Sequence, residues 1–298
     1  MALSGKHLTI VDGGQRATIA EVGASLAAYS VGTRVICPDY PDDELPPKGS
    51  GAILVPWPNR VAGGRYTFDG VAQQLPLTEP DKRNAIHGFG RWDRWSVIAD
   101  DSSSVSLSLD IVPQKGYPFE IRAGVTYALG PSGLTVTMTA RNIGTTAAPF
   151  GAGAHPFLTT GETPLDDVEL TVPADARIVV DDAAIPIGVA PADGDDALDG
   201  RPLGARRFDT GFGAVRFVDG TATAAMTAGG STTELWWDSA FPFTQIFTVD
   251  DLGGSGPAVA IEPMSCPANA FNSGEALVVL NPGDRWQGSW GIRPADIS

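Results

Sequence analysis

Apolar and polar residues alternate with a period of two through much of this chain, which restricts what it can fold into. In the segment SVSLSLDIV (104–112), valine, leucine and isoleucine fall on one face of an extended chain and serine on the other. The segment FEIRAGVTYAL (119–129) repeats the pattern, and the turn GPSG (130–133) leads into LTVTMTARN (134–142). Alternation of this length between turn residues is typical of half-buried antiparallel strands, and the last two segments predict a hairpin.

Further segments along the chain have the same character. They are HLTIVD (7–12), RYTFDG (65–70), VELTVPA (168–174), ARIVVDD (176–182), AVRFVD (214–219), FTQIFTV (243–249), AVAIEP (258–263) and ALVVLNP (276–282). No stretch has a clear apolar repeat of 3.6 residues, so we expect helices to be short and few. The aspartate-rich stretch 181–200 is the least strand-like, and because it lacks the spacing of a calcium loop we expect a solvated connection there. These patterns predict an all-β sandwich or barrel, organised as a single domain over residues 1–298.

Composition excludes several classes of function. The net charge of -15 argues against nucleic acid and against an anionic membrane surface, since both require positive charge. It also disfavours a strongly anionic substrate, unless arginines cluster locally. No segment is long and apolar enough to cross a bilayer, and the first residues lack the pattern of a signal peptide. Cys37 and Cys266 lie far apart in the chain; a disulfide cannot be read from this spacing, and a reduced, cytoplasmic protein is the simpler expectation.

Residues that could carry chemistry occur in four separate segments. These are PWPNRVAGGRYTFDG (56–70) with Asn59 and Arg60, NAIHGFGRWDRW (84–95) with His87, GAGAHPFL (151–158) with His155, and AVAIEP (258–263) with Glu262. Each histidine alone could be a loop residue, Arg60 a surface cation and Glu262 an ordinary charge at a strand terminus. Because Pro263 removes a backbone donor, we expect the strand AVAIEP to end there and to hold Glu262 at the terminus of a sheet.

Together, the two histidines and the carboxylate form an acid–base set that needs neither a metal nor a nucleophile. There is no GxSxG segment for a catalytic serine, and no HxxxH or CxxC pair for zinc. The glycines of GAGAHP do not open a βαβ unit, so a dinucleotide site is excluded by context.

The same segments resemble those of the aldose 1-epimerases, also called galactose mutarotases. PWPNRVAGGRYTFDG is similar to their Asn-Arg segment, NAIHGFGRW to their His-Gly motif, GAGAHPFL to their His-Pro motif and IEPMSCPANAFN (261–272) to their Glu-Pro segment. GYPFEIRAGVTYAL (116–129) and LNPGDRW (280–286) also match, so the resemblance spans nearly the whole chain. FDTGFGAV (208–215) is a looser match, with Thr-Gly after the aspartate where His-Asn is usual, and Phe157 stands where tyrosine is common.

The resemblance implies the large antiparallel β-sandwich of that family, the galactose mutarotase-like supersandwich. It also implies that Glu262 is a general base and His155 a general acid, and that His87 holds or polarises sugar oxygens. Arg60, Asp209 and Asn59 would bind the substrate, a free hexose whose α and β anomers are interconverted by ring opening and reclosure. No cofactor and no metal are implied, since this reaction proceeds unaided in water. On this view the small neighbours of His155 leave space for a sugar, and Pro156 fixes the chain.

Other interpretations remain open. A hexose-6-phosphate 1-epimerase would need cations at the pocket mouth; Arg65, Arg91 and Arg94 are candidates, but their scatter and the acidic balance indicate surface residues. A sugar-binding sensor on the same scaffold should have lost an acid or a base. A polysaccharide lyase or hydrolase would need a groove lined with exposed aromatic residues, for which the candidates are Trp57, Trp92, Trp95, Trp236 and Trp237. The expected partner is a small sugar, and the chain is expected to be a monomer or homodimer.

Overall fold

The computed structural model describes residues 2–295 and is built almost entirely of β-strands. The described part contains one α-helix of four residues, α1 (Ala270–Ser273). Single 3-10 turns occupy Pro47–Gly49, Ala62–Gly64, Pro80–Lys82, Leu165–Asp167 and Gly194–Asp196. None of the helices within residues 2–295 has the length and apolar character needed to cross a bilayer. The prediction of an all-β chain with few, short helices is confirmed.

The strands follow one another along the whole described chain. The first are β1 His7–Asp12, β2 Gln15–Ala20, β3 Leu26–Val31, β4 Arg34–Cys37, β5 Ile53–Leu54, β6 Arg60–Val61, β7 Arg65–Phe68, β8 Val71–Gln74 and β9 Ala85–Ile86. The middle ones are β10 Ser96–Asp100, β11 Ser104–Ile111, β12 Ile121–Gly130, β13 Gly133–Asn142, β14 Ala148–Phe150, β15 Gly153–Ala154, β16 Phe157–Thr159, β17 Glu169–Thr171, β18 Ala174–Val180, β19 Pro186–Pro191 and β20 Asp199–Pro202. The last are β21 Asp209–Val215, β22 Thr221–Ala228, β23 Ser231–Asp238, β24 Phe243–Val249, β25 Ala258–Met264, β26 Val278–Leu280 and β27 Arg285–Pro294.

Two large antiparallel sheets contain most of these strands. One has nine strands in the order β10-β11-β12-β13-β27-β23-β22-β17-β20. The other has eight, in the order β19-β18-β21-β24-β25-β15-β5, with β16 also paired to β25. A four-stranded sheet β1-β2-β3-β4 and the pairs β6-β9, β7-β8 and β14-β26 complete the described fold. The predicted hairpin is the β12-β13 pair, whose register places Gly130 opposite Gly133.

The alternation read from the sequence places the core between the two large sheets. Ile246 and Ile261, on one face of the eight-stranded sheet, belong to the same buried apolar cluster as Met138 and Trp237 of the nine-stranded sheet. The predicted sandwich is therefore confirmed. Because successive side chains point to opposite faces of a strand, the residue after Ile261, which is Glu262, faces away from this core.

Two sequence interpretations of the fold are wrong. The segment 181–200, expected to be a connection, contains β19 and ends in β20. As the edge strand of its sheet, β19 has no buried face over most of its length and so needs no apolar alternation. The segment AVRFVD (214–219) is not a strand of its own, because β21 ends at Val215.

Gly151 and Gly153 of GAGAHP are required by close packing of the backbone rather than by space for a ligand. A Cβ atom on Gly151 would lie 2.6 Å from the Cys266 Sγ atom. One on Gly153 would lie 2.9 Å from the Pro58 Cβ atom and 3.1 Å from the Pro263 carbonyl oxygen. The interpretation that these glycines leave space for a sugar is wrong: they let the chain before His155 lie directly against its neighbours.

We predict that Gly153→Ala lowers the free energy of unfolding by about 1–3 kcal/mol, the usual cost of overpacking a tight interior. Urea unfolding followed by tryptophan fluorescence measures the loss. Gly188→Ala is the matched control, because Gly188 also lies in a strand but has nothing within 4 Å of the added atom. An equal change in both variants would contradict the packing argument.

Candidate active site

Glu262 lies inside β25, which is buried along its whole length. The strand continues through Pro263 to Met264, so the expectation that it ends at Glu262 is wrong. The proline is tolerated because the strand on that side of β25 is interrupted: β16 pairs with its first half and β15 with its end. The missing donor of Pro263 falls near this break, where the neighbouring chain turns.

His155 occupies the break between β15 and β16. Since Gly153 pairs with Met264 in an antiparallel register, two residues further along each chain His155 stands opposite Glu262. The His155 Nε2 atom lies 3.3 Å from the Glu262 Oε1 atom, and both side chains are almost completely buried. The His155 backbone is fixed by two hydrogen bonds, from its N–H to the Ala52 carbonyl and from the Gly51 N–H to its carbonyl.

Gln245 lies opposite Glu262 on the strand at the other side of β25, since the two residues are paired between β24 and β25. Its amide nitrogen donates to the Asp209 Oδ1 atom at 2.7 Å. Its amide oxygen accepts from the Asn59 Nδ2 atom at 3.3 Å. Gln245 therefore connects two of the predicted site residues to the strand that carries Glu262.

A second set of residues comes from the β6-β9 pair, in which Arg60 is opposite Ile86. Asn59 and His87, next to these strand residues, both have left-handed backbone angles, with φ of 53° and 64°. The His87 N–H donates to the Asn59 carbonyl at 2.8 Å, and the Asn59 N–H donates to the His87 Nδ1 atom at 3.1 Å. Because Nδ1 accepts, a neutral His87 carries its proton on Nε2 and can donate from there.

Arg60 is held in place by Glu79, a residue without any sequence signal. Its Nε and one terminal nitrogen donate to the two Glu79 carboxylate oxygens at 2.9 and 3.0 Å. The Asn84 amide also donates to Glu79, at 3.4 Å. On its other side the Arg60 guanidinium lies 3.7 Å from the Asp209 carboxylate. This bidentate geometry fixes the direction in which Arg60 presents its remaining donors.

All the predicted site residues line one cavity of about 370 Å³. They are Asn59, Arg60, His87, His155, Asp209 and Glu262. The two histidine rings meet edge to face, with centroids 5.5 Å apart. The volume falls in the range of pockets that hold small molecules.

Burial shifts the protonation equilibria of the acid–base residues in opposite directions. It lowers the pKa of His155 to about 4, with a further contribution from the charge of Arg91. It lowers the pKa of His87 well below the usual 6.5, and the charge of His155 adds to the effect. It raises the pKa of Glu262 well above 4.5, as does the nearby Asp209 carboxylate. When the pair of Glu262 and His155 holds one proton, these pKa shifts favour its position on the carboxyl group.

His87, His155 and Glu262 are also arranged so that a metal ion could bind them. One ligand atom from each lies within 4.8 Å of the others. Two neutral imidazoles and a carboxylate form a ligand set that suits zinc. The sequence contains no zinc-ligand spacing because these residues come from three separate strands and loops.

If the site has the anomer-exchange activity that the family resemblance implies, we predict that EDTA-treated protein keeps this activity. Micromolar Zn²⁺ should then inhibit it in competition with the sugar, since the metal would occupy His87, His155 and Glu262. Anomer exchange measured by NMR, before and after chelation and with added Zn²⁺, tests both expectations. Mg²⁺ is the control ion, because it prefers oxygen ligands. Activity that disappears on chelation and returns with metal would contradict an acid–base site that works without one.

Comparison with known proteins identifies the family. The family model described as aldose 1-epimerase matches residues 6–293. The chain belongs to the aldose 1-epimerase family. The uncharacterized protein YihR of Escherichia coli (strain K12) is 35% identical over 291 residues, covering 95% of this chain and 91% of its own. Galactose mutarotase of Rattus norvegicus is 35% identical over 154 residues, which is 48% of this chain and 43% of that protein.

Solved structures share the fold of this aldose 1-epimerase family member. A galactose mutarotase-like protein from Clostridium acetobutylicum superposes with a TM-score of 0.84 at 18% identity, covering 96% of this chain and 94% of its own. Galactose 1-epimerase from Lactobacillus acidophilus NCFM has a TM-score of 0.77, also at 18% identity, over 96% and 93% of the two chains. At 18% sequence identity, these two similarities establish a shared fold and nothing about function.

Within this family fold, the structure adds site residues that the sequence analysis missed or misplaced. Gln245 and Glu79 carry no motif, and only their contacts identify them. Arg91 was expected at the surface, and that expectation is wrong, because it lines the cavity together with Lys48 and the exposed Trp92. A polar residue inside the apolar strand FTQIFTV was the one available signal for Gln245.

Proposed function

We propose that this protein is an aldose 1-epimerase that interconverts the α and β anomers of a hexose, with a single domain carrying the activity. The observation that supports this most strongly is the 3.3 Å approach of His155 Nε2 to Glu262 Oε1 in a cavity of hexose size. A base and an acid at this separation can act on two oxygens bound to the same carbon atom.

The reaction needs two proton transfers in opposite directions. With the proton of the pair on His155, the Glu262 carboxylate removes the proton of the O1 hydroxyl and His155 gives its proton to O5. The C1–O5 bond breaks and C1 becomes an aldehyde. After rotation about C1–C2, O5 attacks the other face of the C1 carbonyl. Glu262 then returns a proton to O1, and His155 takes the proton from O5. The pair ends as it began, so no net proton is consumed.

The proton of the empty site must first move from Glu262 to His155. The two groups are close enough for this transfer to occur within the pair. A neutral carboxyl with a neutral imidazole contains the same number of protons as a carboxylate with an imidazolium. Substrate binding therefore changes where the proton lies without exchange with solvent.

The remaining residues would position the sugar. His87 can donate from Nε2 to a sugar oxygen, and Arg60 can polarise O5 or a neighbouring hydroxyl. The Asp209 side chain is partly exposed, and its carboxylate can accept hydrogen bonds from ring hydroxyls. Asn59 contributes an amide that Gln245 orients. These roles follow the chemistry of the groups and agree with those implied by the family.

The alternatives from other classes have less support. A sensor would lack an acid or a base, whereas Glu262 and His155 are both present and close. A polysaccharide-cleaving enzyme would display aromatic residues along a groove, but Trp57, Trp95 and Trp237 are buried in the core. The buried, free thiols of Cys37 and Cys266 support a reducing compartment, and we infer that the protein acts in the cytoplasm.

We predict that His155→Ala and Glu262→Gln each lower kcat/KM for anomer interconversion by about 10²–10⁴-fold, the contribution of a positioned acid or base. Polarimetry of freshly dissolved α-glucose and α-galactose, corrected for the spontaneous rate, measures the loss. Glu169→Gln, an exposed carboxylate on β17, is the matched control. Full activity in either site variant would overturn the assignment.

Glu262→Gln should also stabilise the fold while it removes activity. Because the folded-state pKa of Glu262 is raised, wild-type stability falls as the pH rises from about 4.5, the usual value, through the folded pKa. The neutral glutamine does not have this cost. We expect the Tm of Glu262→Gln to exceed that of the wild type by a margin that grows with pH over this window. Calorimetry between pH 4.5 and 8 measures the margin, and a constant or shrinking margin would contradict the burial argument.

A further inference from the structure

Arg91 is a cation that lines the cavity and forms no ion pair within the part of the chain that the structure describes, although the more distant charge of Glu79 acts on it. It lies on the loop after β9 and is half buried. Its Nε atom is completely buried and has no hydrogen-bond partner, and among the described residues no carboxylate lies within ion-pair distance of it. Its one recorded contact is with the ring of Trp92, whose centroid lies 4.7 Å from the guanidinium carbon. A buried guanidinium donor without an acceptor is costly, and an acceptor brought by a ligand would remove that cost.

The loop that carries Arg91 is rigid enough to hold it in one place. The N–H groups of Phe89 and Gly90 both donate to the Val55 carbonyl, at 2.9 and 3.0 Å. The carbonyl of Arg91 packs against Gly23, where a Cβ atom would lie 2.9 Å away. The guanidinium is thus presented by a backbone that is already fixed before a ligand arrives.

The other arginines considered for this role already have acceptors elsewhere. Arg60 is bound by Glu79, as described above. Arg94 is mostly exposed and pairs with Glu21 at 3.3 Å. Arg65 donates to Gln74 at 2.9 Å on a different surface. Of these arginines, Arg91 is therefore the one that lines the cavity and has no carboxylate within ion-pair distance among the described residues.

Lys48 adds another positive charge to the lining of the same cavity. It lies in the 3-10 turn Pro47–Gly49, has a left-handed backbone with φ of 52°, and is exposed. It lines the cavity with Arg91 and Trp92. The cavity lining thus includes Arg91 and Lys48 besides Arg60, which is held by Glu79 and lies near Asp209. The charge of Glu79 also acts on Arg91, but no carboxylate of the described residues lies within ion-pair distance of it.

From this arrangement we propose that Arg91 and Lys48 bind an anionic substituent of the aldose, so that the substrate is a hexose carrying a phosphate, sulfonate or carboxylate away from C1. The inference rests on the proposed epimerase function and names its substrate class. The anion accepts hydrogen bonds from Arg91 while the reacting carbon lies between Glu262 and His155. Trp92 covers the guanidinium from the other side.

Bound anion would also assist the chemistry. The positive charge of Arg91 adds to burial in lowering the pKa values of both His87 and His155. An anion at Arg91 offsets that charge, so an imidazolium at His155 costs less when the right substrate is in place. The same group that gives affinity thereby favours the protonated form that the general acid requires.

The test compares anomer exchange by NMR for glucose, glucose 6-phosphate, glucuronate and 6-deoxy-6-sulfoglucose, in the wild type, Arg91→Gln and Lys48→Gln. We expect the wild type to prefer at least one anionic sugar over glucose in kcat/KM, and the four substrates identify which anion. Arg91→Gln should lower the ratio of anionic to neutral kcat/KM by about 10- to 100-fold, the size of a lost charge-assisted hydrogen bond. Lys48→Gln should lower it less, because Lys48 is exposed.

Arg94→Gln is the matched control, since it removes an arginine of the same loop that points to Glu21. The ratio should be unchanged in this variant. If the wild type exchanges glucose as fast as every anionic sugar, or if Arg91→Gln leaves the ratio unchanged, the anion site is overturned while the epimerase function stands. If no sugar is exchanged faster than with His155→Ala, the proposed function itself fails, and with it the inference.

Discussion

The burial of Glu262 and His155 within 3.3 Å of each other is the constraint on which the site depends. Both side chains are buried, and ionising either one alone would place an uncompensated charge in a dry environment. Together, with one proton between them, they are neutral overall in either arrangement. The 3.3 Å separation brings the two groups close enough to exchange a proton, while burial favours the arrangement in which both are neutral. The unpartnered His155 Nδ1 and Glu262 Oε2 atoms show that this pair is not fully satisfied by the protein itself.

The identity of these two residues could be predicted from the sequence, but their juxtaposition could not. The His-Pro and Glu-Pro segments indicated them through family resemblance and through the chemistry of imidazole and carboxylate. What brings them together is the register of β15 against β25, and register depends on pairings between distant parts of the chain. The same limit explains the wrong strand end. The local rule for proline in sheets predicts a strand end at Pro263. The break between β15 and β16, which makes the missing donor tolerable, depends on pairing with a distant part of the chain.

For the fold, sequence patterns succeeded wherever one face of a strand is buried. The β11, β12 and β13 strands alternate because each has a core face, and their hairpin followed from the turn GPSG. β19 was missed because an edge strand exposed to solvent carries no alternation, and its pairing comes from backbone hydrogen bonds alone. Gln245 could not be predicted for a related reason. Its partners, Asn59 and Asp209, are remote in the chain, and a single polar residue in an apolar strand does not by itself indicate a functional site.

The net charge of the chain and the charges that line the cavity bear on different kinds of ligand. The net charge of -15 excludes partners that contact a broad surface, such as nucleic acid, because many phosphates must be neutralised at once. It has little weight for one anionic group on a small sugar, since charges beyond about 8–10 Å are screened at physiological salt. Binding of such a group is decided by what lies within contact distance, and the lining of this cavity includes Lys48 and Arg91. A half-buried arginine without an ion-pair partner lowers the stability of the ligand-free protein. Destabilising residues of this kind are retained at sites where a bound ligand stabilises them.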